Sequence, residues 1–139
     1  MSQQERSASP TERPASRRER NLAIAAHLSG IVGVPTAGLL GFVVPLLMYR
    51  AVANTYPFAG SQAKEALNFQ ITIVCLFAVC VAAAAMSCGV LLPLLILPAA
   101  VQLVLAIVAA IVTAKGRPFR YPFNLRFLPS DPRPSTPVD

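Results

Sequence analysis

The chain has 139 residues, a formal net charge of +6 and 55% hydrophobic residues, enough for one membrane domain with two tails. Its basic residues flank apolar segments, the arrangement of membrane-orientation signals, which argues against nucleic acid as a partner. Cys75, Cys80 and Cys88 all lie in an apolar run without His or acidic neighbours, so neither a metal site nor a disulfide framework is predicted, and no cofactor is expected.

Residues 1–19 are rich in Ser, Pro, Arg and Glu and cannot bury enough apolar surface to order themselves, which predicts a disordered basic tail. Ser16-Arg17-Arg18 echoes a twin-arginine export signal, but the apolar run that follows is about twice a typical signal core and has no clear cleavage site. That run, Leu22 to Tyr49, is interrupted by Gly30, Gly33, Pro35, Gly38, Gly41 and Pro45. Proline removes a backbone donor and clashes with the preceding turn. Two short helices are therefore expected, roughly 22–34 and 37–50, hinged near Gly33–Thr36. Each would be about 20 Å long at 1.5 Å per residue, short of the roughly 30 Å hydrocarbon core.

Residues 51–65 read as a polar loop, with Ser61 as the N-cap of the next helix. From Ala66 to Ala114 there are 49 residues without Asp, Glu, Lys, Arg or His. A span needs about 20 apolar residues, so this stretch holds two spans, about Ser61–Ser87 and Pro93–Lys115. Pro98 falls near the start of the second, where it could kink the helix. Small residues recur at four-residue spacing (Ala78–Ala82, Ala83–Ser87, Ala106–Ala110–Ala114), which favours close packing of these last two helices or an oligomer interface. Residues 129–139 are Pro-rich and read as a second disordered tail. The expected fold is thus all-α: a helical integral membrane protein with two short helices, re-entrant or hairpin, plus two full transmembrane helices. The membrane domain covers 20–128, between tails at 1–19 and 129–139.

Charge predicts the orientation. Both tails are basic, so both belong on the cytoplasmic side, and two crossings return the 51–65 loop to that side. The first apolar segment must then enter and leave on one face. The alternative is one kinked span with the N-terminal arginines outside.

The candidate polar residues are few. His27 is either part of a proton relay or an interfacial histidine bonded to a neighbouring helix. At 100° per residue, Glu65, Asn68 and Thr72 share one helix face, which is either a polar pocket or a set of interhelical hydrogen bonds. Gln102, in mid-span, is expected to bond another helix. After Lys115, Phe119, Tyr121, Phe123 and Phe127 alternate with Arg120 and Arg126, a period of two that predicts an extended interfacial anchor.

Three stretches together carry a resemblance: Arg20-Asn21-Leu22-Ala23 through His27-Leu28-Ser29, then Lys64-Glu65-Ala66-Leu67-Asn68-Phe69-Gln70, then Arg120-Tyr121-Pro122-Phe123. Their order and spacing resemble a family of small bacterial membrane proteins of unknown function, related to the Tic-twenty-like subunit of the chloroplast inner-envelope protein-import machinery. The resemblance spans about residues 20–128 and implies a helical membrane domain without established chemistry. That family usually has acidic residues shortly before Lys64, where this chain has Gly60 and Ser61. The function expected is a non-enzymatic scaffold, assembly factor or translocation accessory in the bacterial inner membrane. Its partners would be the lipid bilayer and other membrane proteins or copies of itself. The alternative is an oligomeric small-solute transporter or channel.

Overall fold

Ser16 starts the first helix. Its hydroxyl accepts the Glu19 backbone N–H at 3.2 Å, and the Glu19 carboxylate accepts the Ser16 N–H at 2.9 Å. This reciprocal capping box satisfies two donors that a helix start leaves open. In the computed structural model, which describes residues 14–36 and 38–128, helix α1 therefore runs Arg17–Val32. It begins five residues before the apolar pattern does, and residues 17–19 are helical and not part of a disordered tail. The rest of that tail through residue 13, and the Pro-rich tail at 129–139, lie outside the described residues.

The expected break is present and longer than the hinge suggests. After a 3-10 turn at Val34–Thr36 the chain continues in turns to Phe42, and α2 occupies Val43–Val52. Two glycines make the turn possible. Gly38 has φ +87°, and a Cβ on Gly33 would lie 2.7 Å from the Gly41 backbone, so the two limbs touch where only glycine fits. Pro45 lies in the first turn of α2, where a missing N–H costs no intrahelical bond. α1 and α2 thus form a hairpin.

Pro57 opens α3, Pro57–Met86, at the position where proline is best tolerated. Ser61 is not its cap but lies one turn inside, its hydroxyl donating to the Phe58 carbonyl at 2.9 Å. At 30 residues, α3 is about 45 Å long. It ends in turns through Cys88 and Gly89, then a 3-10 turn at Leu92–Leu95 leads into α4, Ile96–Ala114. Pro98 lies in the first turn of α4. Among the described residues there are four helices and no strand.

α3 and Leu92–Ala114 are both long and apolar enough to cross a membrane, and α2 is a shorter apolar helix. Val79, Met86, Val90, Ile96, Val104 and Ile111 are all exposed on the outside of the bundle. An apolar surface of this extent is mismatched to water and matched to lipid, so the protein resides in a membrane.

α1 packs against both α3 and α4, and more extensively against α4 than α3 itself does. The small residues Ala23, Ala26 and Gly30 of α1 and Ala106, Ala109 and Ala110 of α4 are all buried. The main helix partner of α4 is thus α1, although Ala109 shares a buried cluster with Phe69, Ile73 and Phe77 of α3, while Ala78 and Ala82 of α3 are exposed. The Arg18 guanidinium lies 5.4 Å above the Tyr56 ring, and the stem of Arg20 lies against Gly116. The start of α1, the α2–α3 link and the end of α4 thus gather at one polar end. The hairpin turn stops beside Gln70, Ile73 and Val74 of α3; α3 continues well beyond it.

Candidate functional site

Polar side chains on α3 recur at three- and four-residue spacing: Gln62, Glu65, Asn68 and Thr72. The segment that follows α4, residues 117–128, lies along this face as a strap. Its backbone has no neighbouring strand, and unpaired backbone groups away from water are costly. The helix supplies the partners instead. Phe119 donates its N–H to Gln62 Oε1 at 3.1 Å, and Tyr121 donates to Glu65 Oε1 at 2.9 Å. Leu125 donates to Thr72 Oγ1 at 3.0 Å. Asn68 makes a two-point contact, accepting the Leu128 N–H at 2.9 Å and donating to the Leu128 carbonyl at 3.0 Å. The Asn124 side chain also donates to Glu65 Oε1 at 3.1 Å.

His27 ties α1 into the same network. Its Nε2 lies 3.3 Å from Gln62 Oε1 and its Nδ1 lies 3.0 Å from the Tyr121 hydroxyl. Gln62 Oε1 already receives the Phe119 N–H and is an acceptor, so Nε2 carries the proton; in the neutral ring Nδ1 then accepts from Tyr121. Burial first, and the Glu65 carboxylate second, push the Tyr121 hydroxyl well above its usual range. It stays protonated, as a donor to His27 requires. Its ring stacks on Phe69 with centroids 3.8 Å apart and meets Phe119 edge-on at 5.1 Å.

A second amide cluster lies deeper. Gln102 donates to the Gly30 carbonyl and, at 3.2 Å, to Gln70 Oε1, while Gln70 donates to the Gly38 carbonyl at 3.0 Å. These two amides hold the hairpin turn between α3 and α4. A Cβ at Gly41 would lie 2.5 Å from the Gln70 amide nitrogen, so the turn is shaped around that side chain. Among the described residues, Gln102 Oε1 and Asn124 Oδ1 are buried without a hydrogen-bond partner.

Of the residues expected at the site, His27, Glu65, Asn68 and Thr72 come together, whereas Gln102 belongs to the deeper cluster. The aromatic segment does not present one apolar face. Phe119 is half-buried and Tyr121 is inside the bundle, whereas Phe123 and Phe127 are exposed, as are Arg120 and Arg126. The backbone bends at Pro122–Phe123, which breaks the alternation, and bends again at Phe127–Leu128. Gln62, Gln70 and Asn124 were not among the expected residues. Gln62 sits three residues before Glu65 and could have been found by extending the same face one turn.

The arrangement is one of mutual fastening. Beside the strap, Ser61, Lys64 and Arg120 edge a cleft of about 110 Å³ floored by Gln62, Glu65 and Asn68. Glu65 accepts two hydrogen bonds on one oxygen within this chain. Among the described residues no three His, Cys, Asp or Glu side chains form a group that could hold a metal ion.

Comparison with curated proteins and with solved structures gave no match. A family model for the magnetosome magnetite crystal formation proteins, MamF/MmsF, matches residues 18–128. That interval contains all three of the stretches that resemble the Tic-twenty-like subunit, so the family they mark is a magnetosome one, and the import relationship is overturned. The match runs from the first turn of α1 to the end of the strap, and this protein belongs to the magnetosome magnetite crystal formation protein family.

Proposed function

We propose that this protein is a non-enzymatic scaffold or assembly component of the magnetosome membrane, supporting crystal formation through contacts with other membrane proteins or with copies of itself. The observation that carries this reading is how its buried polar groups are used. His27, Gln62, Glu65 and Asn68 are engaged with the chain's own backbone and side chains. Sequence alone suggests the bacterial inner membrane; the family match supports reading that membrane as the magnetosome's.

The orientation follows from charge. Among the described residues, the basic side chains lie in the first turn of α1, the end of α2, early α3 and the segment after α4, all toward the polar end. The two described carboxylates, Glu19 and Glu65, are buried. Cationic flanks stay in the cytoplasm, so this end, both tails and the α2–α3 link face the cytoplasm in the proposed topology. A transporter reading has less support: α3 carries only apolar residues and cysteines from Ile73 to Met86, so the far half of that helix offers a solute no polar path.

Photo-crosslinking in cells from Asn54, exposed in the α2–α3 link, tests the proposal. The expected products are adducts with membrane proteins or with a second copy, together with altered crystals in cells lacking the chain. Solute flux across proteoliposomes containing this chain alone would overturn the scaffold in favour of a transporter.

A further inference from the structure

The strap's hydrogen bonds fix its depth along α3. Phe119 bonds Gln62, Leu125 bonds Thr72 and Leu128 bonds Asn68. The strap therefore runs down α3 by about 15 Å and then turns back. From Ala66, where the uncharged run begins, to Met86 the helix rises about 30 Å, which matches the thickness of a hydrocarbon core. The tip of the strap, residues 123–127, reaches the level of Thr72, about 9 Å inside that thickness. Amphipathic segments lodge at this depth, roughly 5–10 Å into the boundary of headgroups and acyl chains. Irregular backbone enters lipid only where protein satisfies its polar groups. Thr72 and Asn68 do this for Leu125 and Leu128.

The outer side of the tip is apolar and cationic together. Phe123, Leu125 and Phe127 are each more than half exposed. Phe127 also edges an apolar groove with Leu67, Ile71 and Cys75, so the tip is continuous with the lipid-facing flank of α3. Arg126 stands between Leu125 and Phe127 and is exposed, as is Arg120. Residues 115–128 contain no Asp or Glu. The two described carboxylates are buried, Glu19 in its capping box and Glu65 bonded to Tyr121 and Asn124. We infer that the strap tip is a membrane-inserted hook that binds anionic phospholipid. Phe123, Leu125 and Phe127 lie among the upper acyl chains, and Arg126 and Arg120 hold headgroup phosphates. An arginine at this depth keeps its apolar stem in the hydrocarbon and its guanidinium at the headgroups, where its fork matches a phosphate. That charge complementarity selects the occupant, since an apolar partner helix would leave Arg126 without an anion. The inference rests on the membrane placement of α3 and is independent of the assembly role and of the side that the polar end faces.

The sequence contains no tryptophan, so one introduced at the tip reports its own surroundings. The full chain carrying Phe123→Trp is placed in mixed bilayers of phosphatidylcholine and phosphatidylglycerol, with bromine on the acyl chains of one lipid or the other. Leu125→Trp repeats the measurement at a second exposed position, whose bond to Thr72 is made by the backbone. The expected result is quenching by brominated lipid and protection from acrylamide in the water. Brominated phosphatidylglycerol should be the better quencher. Its advantage should fall about fivefold in Arg126→Gln, the effect of one basic residue at an anionic surface, and be kept in Arg126→Lys. Val104→Trp, on the exposed outer face of α4, should be quenched equally by both lipids. Quenching by acrylamide with none by brominated lipid would put the tip in water and overturn the hook. Shielding from both quenchers would mean that a second copy or another protein covers the tip, and would overturn it as well. Equal quenching by the two lipids, or a preference that survives Arg126→Gln combined with Arg120→Gln, would overturn the anionic site.

Discussion

The polar half of the bundle and its apolar half are held together by different physics. At the polar end, side chains of α3 and α1 make directional bonds to each other and to the strap backbone. Beyond the hairpin turn, from Ala78 to Leu97, only Cys80 and Ala84 are buried, and large apolar side chains face outward. Directional bonds specify one arrangement, because a missed bond leaves a buried group unpaired. Apolar contacts in lipid discriminate weakly, because the lipid itself is an equivalent neighbour. The polar half should therefore be sensitive to single atoms and the apolar half tolerant of them.

The largest expected effect is at Glu65. Replacing it by Ala leaves the Tyr121 N–H without its acceptor and removes a partner of Asn124, at a cost of about 3 kcal/mol, read as a lower thermal midpoint in detergent. A smaller loss, about 2 kcal/mol from overpacking, is expected for Gly41→Ala, whose Cβ would meet the Gln70 amide; the same thermal assay should show it, and Gln70→Ala in the same chain should recover part of the loss. Asn68→Leu removes the two-point grip on Leu128 and should cost about 1 kcal/mol. Its clearer sign is faster tryptic cleavage after Arg126. Val104→Leu, on the exposed face of α4, should change stability by less than about 0.5 kcal/mol. A Val104 variant as damaging as Glu65→Ala would erase the contrast between the halves.

Much of the architecture is legible in sequence because it depends on local composition. The uncharged run sets two spans, the cluster of Gly and Pro sets the hairpin, and helical periodicity places Glu65, Asn68 and Thr72 on one face. The start of α1 was obscured because its first turn, Arg17-Arg18-Glu19-Arg20, is as polar as the tail before it. The Ser16…Glu19 capping box was the signal available there. The partner of the polar face was less accessible. It lies 53–60 residues away along the chain, and no local pattern encodes a side chain bonding a distant backbone. The strap's alternation describes an extended segment, but not which side faces the helix. The bend at Pro122–Phe123 separates Phe119 and Tyr121, on the bundle side, from the exposed Phe123 and Phe127. Gln70 points to a different partner from Glu65 because it lies about 140° away around the helix.

The polar face of α3 is occupied by the chain's own strap, held through backbone amides. Residue-resolved hydrogen exchange of the full chain in bilayers tests it most directly. Slow exchange is expected at Phe119, Tyr121, Leu125 and Leu128, with protection at Tyr121 lost in Glu65→Ala and at Leu128 lost in Asn68→Leu. Uniformly fast exchange from residue 117 to 128 in the unmodified protein would show that the strap is free and that the polar face is open to another partner.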